Sequence, residues 1–202
     1  MKRILMGSNN PAKVTQMREL LRPLPLLVLS PLETGITICV HEDGHTPEEN
    51  AKKKAQQYFN HAGIATFAID SSLYLESFPP EKQPGLHVRR IRGDNDVSDE
   101  EMITYYITEL DKVGGESKGI WTTAVALVSA LKNIDCEHFE SKTLFTSKPS
   151  HIMMIGEPLN SLQVDIKSGK YFSEMSSNER SIARGRRAQG IFDFIERHLS
   201  YL

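Results

Sequence analysis

Six residues near the start of the chain, Ser8-Asn9-Asn10-Pro11-Ala12-Lys13, combine small polar side chains, a proline and one lysine. That mixture suits an anion. A helix start leaves backbone N–H groups without partners and carries partial positive charge, and both favour phosphate. Lys13, one turn in, adds a full charge. Two separated acids follow, Glu42 in His41-Glu42-Asp43-Gly44 and Asp70 in Asp70-Ser71-Ser72. Magnesium takes few carboxylates and completes its shell with water and substrate phosphates, so two acids suffice. Each piece alone also has a plainer reading. The 8–13 segment reads as an ordinary strand-to-helix turn with a solvated lysine, and 41–44 as an acidic turn around Asp-Gly. Asp70 can equally cap a turn through Ser71 and Ser72.

These residues need elements to hold them. Arg3 to Met6 predicts a short strand, and Val14, Met17, Leu20 and Leu21 recur at helical spacing after it. Asn10 is a good N-cap, and Pro11 suits the first helical position. Leu26 to Ser30 reads as a second strand and Gly35 to Val40 as another. Thr46-Pro47-Glu48-Glu49 is a helix start, followed by an apolar stripe at Ala51, Ala55, Tyr58, Phe59 and Ala62. Lys54 is expected on the face opposite the start of that stripe. Ile64 to Ile69 predicts a buried strand ending at Asp70, a position from which polar residues in α/β folds face ligands. Proline, glycine and arginine between Ser77 and Gly93 predict a long ordered loop. Ser98 to Glu101 is a second capping box, with Met102, Ile103, Tyr106, Ile107 and Leu110 on one face and Gly114-Gly115 as the stop. Ile120 to Leu131 and Glu137 to Phe145 read as long strands forming an antiparallel pair. A helix start at Ser176 precedes a final helix with Ala188, Ile191, Phe192, Ile195 and Leu199 on its core face. The pattern is α/β, with helices flanking a mixed sheet.

At 202 residues the chain fits a single domain spanning 1–202. Its 24 basic and 26 acidic residues leave a net charge of −2, which lacks the footprint of general nucleic-acid binding. The four arginines of 180–188 read as the rim of a nucleotide pocket or as a solvated helix start, with acids nearby. Cys39 and Cys136 lie far apart without a C-x-x-C pattern, which points to a reducing compartment and no disulfide framework. The seven histidines are assigned no zinc site, and Trp121 is read as core. No apolar run approaches membrane-spanning length, and polar Ser8-Asn9-Asn10 interrupts any signal-peptide core behind Lys2 and Arg3. The expectation is a cytoplasmic protein with neither a membrane nor a nucleic-acid partner.

In order and spacing the chain resembles the inosine triphosphate pyrophosphatase (Ham1-like) family. Ser8-Asn9-Asn10-Pro11-Ala12-Lys13 stands where the family has T-G-N-x-x-K. Glu42-Asp43-Gly44 matches E-x-G, and Glu49-Asn50-Ala51-Lys52-Lys53-Lys54-Ala55 matches E-N-A-x-x-K-A. Asp70-Ser71-Ser72-Leu73 matches D-S-G-L, and Pro84-Gly85 through Arg90 matches P-G-x-x-x-x-R. The second half departs. The family's F-G-[YW]-D falls on Leu162-Gln163-Val164-Asp165, so only the aspartate survives. Gly169-Lys170 and Glu174-Met175 keep the next element, and Arg180 stands for a lysine. Arg184-Gly185-Arg186 stands for S-H-R and has lost its histidine.

The resemblance implies an elongated, strongly twisted mixed sheet flanked by helices, in two lobes with a central nucleotide cleft. It implies magnesium-dependent hydrolysis of nucleoside triphosphates, inosine, xanthosine or other modified purine forms, to monophosphate and pyrophosphate by a homodimer. In that account Ser8, Asn9, Asn10 and Lys13 wrap the triphosphate, with Lys13 neutralising developing charge. Glu42 and Asp70 hold Mg2+, and Asp70 doubles as the base for the attacking water. Lys54, Ser71, Arg90, Asp165, Arg180 and Arg186 bind the remaining substrate. Two alternatives stand beside it: a non-catalytic nucleotide-binding or regulatory protein of the same fold, and a pyrimidine-directed pyrophosphatase.

Overall fold

The computed structural model describes residues 1–91 and 96–202. Among these are strands β1 Lys2–Met6, β2 Leu26–Leu29, β3 Thr66–Leu75, β4 Glu116–Val128, β5 Ile134–Thr146 and β6 Gln163–Val164. The α-helices are α1 Pro11–Leu21, α2 Pro47–Ala62, α3 Asp99–Lys112, α4 Ser177–Arg184 and α5 Arg186–Arg197. The strands form one sheet in the order β2-β1-β3-β4-β5-β6. β1 pairs in parallel with β2, Ile4 opposite Val28, and with β3, Leu5 opposite Thr66. β5 and β6 run antiparallel, Leu144 opposite Val164. The sheet is therefore mixed, and the α/β expectation holds. Among the described residues no helix is long and apolar enough to cross a membrane.

The chain divides into two compact units. Met1–Ser71, Thr122–Phe139 and Arg186–Leu202 form the first. There the period-two alternation of strands sorts side chains between two faces. Phe67 and Ile69 of β3 and Val125 and Leu127 of β4 meet Val14, Met17 and Leu21 of α1 and Ile191, Phe194 and Ile195 of α5. Their neighbours Ala68, Ala124 and Ala126 meet Ala51, Ala55 and Phe59 of α2 instead. Alanine against alanine lets α2 lie close to the sheet. The second unit is Ser72–Trp121 and Glu140–Gly185. Its core gathers Leu73, Leu75 and Phe145 with Met102, Tyr106 and Leu110 of α3 and with Leu159 and Leu162. Gly119 is required there, because an added Cβ would meet the Phe145 ring at 2.6 Å.

Helix starts follow the caps. Asn10 accepts from the N–H groups of Ala12 and Lys13, and both bonds of the capping box join Ser98 and Glu101. Thr46 accepts from the Glu49 N–H, while the Glu49 carboxylate receives the His45 N–H. Two expectations change. The 35–40 segment is not a strand: Ile36, Ile38 and Val40 are half-buried and Thr37 and Cys39 exposed, but among the described residues no ladder partner adjoins it. β3 does not end at Asp70 but continues to Leu75, because Leu73 and Leu75 keep the alternation and enter a core. The helix start at Ser176 opens α4, and the final helix α5 follows after Gly185, whose φ 49° and ψ −119° are open mainly to glycine. Phe194, absent from the expected face, is buried, while Phe192 and Leu199 pack against that core from its edge. In the 77–93 loop the Gln83 side chain bonds both backbone groups of Leu75, and residues 92 and 93 lie outside the described residues.

Candidate active site

In the first unit the chain turns tightly from β1 into α1. Gly7 donates to Phe67 O, and its missing Cβ leaves room for the Tyr58 ring, which a methyl would meet at 2.7 Å. Ser8 Oγ accepts from the Asn10 N–H at 3.2 Å, bending the chain into the cap. Asn9 Nδ2 donates to Ile38 O at 3.1 Å and so ties the 36–45 segment to this turn. Lys13 is half-buried, with its ammonium at the deep end. Burial is the main influence lowering its pKa, and the positive charges of Lys54 and Arg187 act in the same direction against Asp70 and Glu42. Among the described residues no side chain accepts a hydrogen bond from this ammonium.

Beside it, α2 and β3 set a charged cluster. Lys54 Nζ donates to Asp70 Oδ1 at 2.7 Å and to Glu42 Oε1 at 3.1 Å. Lys54 and Asp70 are both buried. Lys54 therefore shares the inward face of α2 with Asn50, Ala51 and Ala55, not the face opposite the stripe. The helix period explains this, since residues 50, 51, 54 and 55 repeat on one side. Ser71 Oγ bonds Thr123 Oγ1 at 2.9 Å. The residues fit a divalent cation. A positive centre, the Lys54 ammonium, already lies within hydrogen-bond reach of one oxygen from each carboxylate, so the two acids converge on a common position. Among the described residues no three His, Cys, Asp or Glu side chains gather as a metal cage, and His41 and His45 stand in the loop before α2. Two carboxylates suit magnesium, which keeps water and phosphate in its shell.

The sequence pattern of the Ham1 family matches residues 4–144, well over half of the chain. The chain belongs to the Ham1 family. The dITP/XTP pyrophosphatase of Clostridium perfringens is 37% identical over 101 residues, 47% of this chain and 48% of that protein. The dITP/XTP pyrophosphatase of Bacillus subtilis is 32% identical over 120 residues, 59% and 56% of the two chains. The chain thus spans about half the length of the curated relatives it matches. A HAM1 protein from Coxiella burnetii superposes with a TM-score of 0.76 at 21% identity, covering 98% of this chain and 100% of the other. The Staphylococcus aureus Ham1 protein gives 0.74 at 20% identity over 96% and 98%. At those identities the likeness is one of fold.

The Ham1 match contains Lys13, Glu42, Lys54, Asp70, Ser71 and Arg90, and it stops before Asp165, Arg180 and Arg186. The first unit brings Lys13, Glu42, Lys54 and Asp70 together. Arg90, Asp165 and Arg180 belong to the second unit, where each has local partners. Arg90 pairs with Asp96 at 3.9 Å. Asp165 is buried and accepts from the Ser168 N–H and hydroxyl at 2.8 and 2.7 Å. Arg180 donates to Met175 O and to Ser177 Oγ. In the first unit Arg186 is exposed, whereas its neighbour Arg187 is half-buried and its charge reaches Lys13. Sequence reasoning passed over Arg187, Asn50 and Gly44. Asn50 and Gly44 had a signal in the E-N-A and E-x-G matches, and Arg187 had none beyond its place in an arginine-rich run.

Proposed function

We propose that this Ham1-family chain hydrolyses nucleoside triphosphates of deaminated or otherwise modified purines to the monophosphate and pyrophosphate, with Mg2+. The observation that carries this reading is the Lys13 ammonium, from which no side chain among the described residues accepts a hydrogen bond, beside two carboxylates that converge on one cation position. The names of the relatives, dITP/XTP pyrophosphatase, support the substrate class. The Lys13 ammonium receives phosphate oxygens and offsets the charge that grows on them as the bond breaks. Glu42 and Asp70 would hold the magnesium ion, which would supply charge neutralisation and polarise the phosphates. Asp70 accepts the proton of the water that attacks the α-phosphorus. Lys54, which here bridges the two acids, would be the side chain that reaches a phosphate oxygen. Ser71 and Arg186 of the first unit are assigned to the remainder of the substrate. A homodimer in the cytoplasm accompanies this reading, and sedimentation tests the dimer.

Pyrophosphate release from inosine and xanthosine triphosphates, followed across a magnesium titration, tests the proposal. The wild-type chain is expected to release pyrophosphate only with the metal. Asp70→Asn, which keeps the size but removes both a ligand and a base, should lose about 10²-fold or more in turnover. Near wild-type turnover by that variant would overturn the assignment of Asp70.

A further inference from the structure

We propose that Asn50 is the positioning residue that fixes the spacing of Glu42 and Asp70, an inference that rests on reading those acids as cation ligands. Asn50 stands in the first turns of α2 and is 1% exposed. A buried carboxamide is unfavourable unless both its ends are satisfied. Here both are. Its Oδ1 accepts the Gly44 N–H at 2.8 Å, and its Nδ2 donates to Asp70 Oδ2 at 3.2 Å. The orientation of the amide is fixed by its partners, because a carboxylate cannot donate and an N–H cannot accept.

These two bonds close a ring. Gly44 lies two residues after Glu42, Glu42 and Asp70 share Lys54, and Asn50 joins Asp70 back to Gly44. Asn50 is the uncharged link in that ring. It engages the Asp70 oxygen that Lys54 leaves open and, at the same time, the backbone of the loop that carries Glu42. A second, independent observation lies at Gly44. A Cβ there would stand 2.7 Å from Asn50 Oδ1 and 2.8 Å from Glu49 Cβ, so the loop approaches as only glycine allows. Other side chains of this size fail in one half of the task. Aspartate has no donor and would repel Asp70, whereas leucine fills the space with neither bond. Partners of this kind, which orient ligands without touching the ion, typically govern about 10- to 100-fold in metal affinity or activity.

The test is Mn2+ binding to the whole protein, read by electron paramagnetic resonance without substrate, on Asn50→Leu and Gly44→Ala. Circular dichroism and thermal unfolding run in parallel. Both variants are expected to keep the fold and to bind Mn2+ about 10- to 100-fold more weakly. The magnesium required for half-maximal pyrophosphate release should rise with them, with a smaller change in kcat at saturating metal. A folded Asn50→Leu with wild-type Mn2+ affinity overturns the proposal. If Asn50→Leu does not fold, Asn50→Ser is read in its place, and the same result overturns it. Glu42→Gln and Asp70→Asn separate the two levels. If neither weakens Mn2+ binding, the reading of the cation site has failed; if they do and the Asn50 variant does not, only the inference about Asn50 has failed.

Discussion

Lys13 is held where its charge is costly. Its ammonium is buried beside Lys54 and Arg187, and Glu42 and Asp70 only partly offset that environment. A fold optimised for stability alone would place an apolar side chain there, since an incompletely compensated buried charge opposes folding. Lys13→Met is therefore expected to abolish turnover while raising the unfolding temperature of the free protein. A gain on the order of 1 kcal/mol corresponds to about 2–4 °C in a chain of this size. The sign with pH follows. A lysine whose folded value is depressed holds its proton less well folded than unfolded, so stability rises with pH between the folded value and about 10.4. The advantage of Lys13→Met should shrink across that window. Thermal unfolding of both proteins from neutral pH upward checks this, and a constant difference would remove the charge explanation. Lys54 is the opposite case. Removing it leaves two acids without their shared cation, and breaking a buried pair costs about 3–5 kcal/mol.

The elements that carry these residues depend on close approaches at glycine. Gly190 lies inside α5, the helix that brings Arg187 to Lys13, and an added Cβ would fall 2.3 Å from Phe139 Cδ1 and 2.8 Å from its Cγ. Two effects compete in Gly190→Ala. Helix propensity favours alanine by about 1 kcal/mol. Overpacking against a ring whose Cγ is also in contact costs about 1–3 kcal/mol. The ring cannot swing its near edge away, so the second effect wins. Urea unfolding is expected to show a net loss on the order of 1 kcal/mol, and a stabilised variant would contradict this packing. Caps and periods made most elements legible beforehand. Asn10 with Pro11 and Ser98 with Glu101 are local signals, and local bonds satisfy them. The 35–40 segment misled because alternation records which side chains face inward, not whether a strand lies alongside. Lys54, expected opposite the start of the stripe, lies inward because Asp70 and Glu42 satisfy its charge there.

At the scale of the whole molecule the two units differ in how much the sequence disclosed. The cluster of the first unit could be traced through motif spacing, and its residues converge as that spacing requires. Asn50 and Arg187 needed coordinates, because their roles come from contacts between distant segments. In the second unit the residues that stand where the family has F-G-[YW] differ in exposure. Leu162 is wholly buried in the core and presents no surface to a ligand, and Gln163 is buried with its Oε1 accepting from Trp121 Nε1 at 2.9 Å. Val164 alone of the three is half-exposed. Apolar contact without a dedicated hydrogen bond discriminates by only about 10- to 200-fold. The kcat/KM values for inosine, xanthosine, guanosine, adenosine and pyrimidine triphosphates should therefore fall within about 10²-fold of one another. A preference for the inosine and xanthosine forms by several orders of magnitude would show that polar readers of the base are intact. The central claim, attack of water at the α-phosphorus beside Asp70, is tested most directly by phosphorus NMR of the products formed from inosine triphosphate and Mg2+ in 18O-labelled water. The account predicts equal amounts of monophosphate and pyrophosphate, with the label on the monophosphate alone and product formed about 10²-fold or more slowly by Asp70→Asn; diphosphate with labelled orthophosphate, or no cleavage by the wild-type protein, would contradict it.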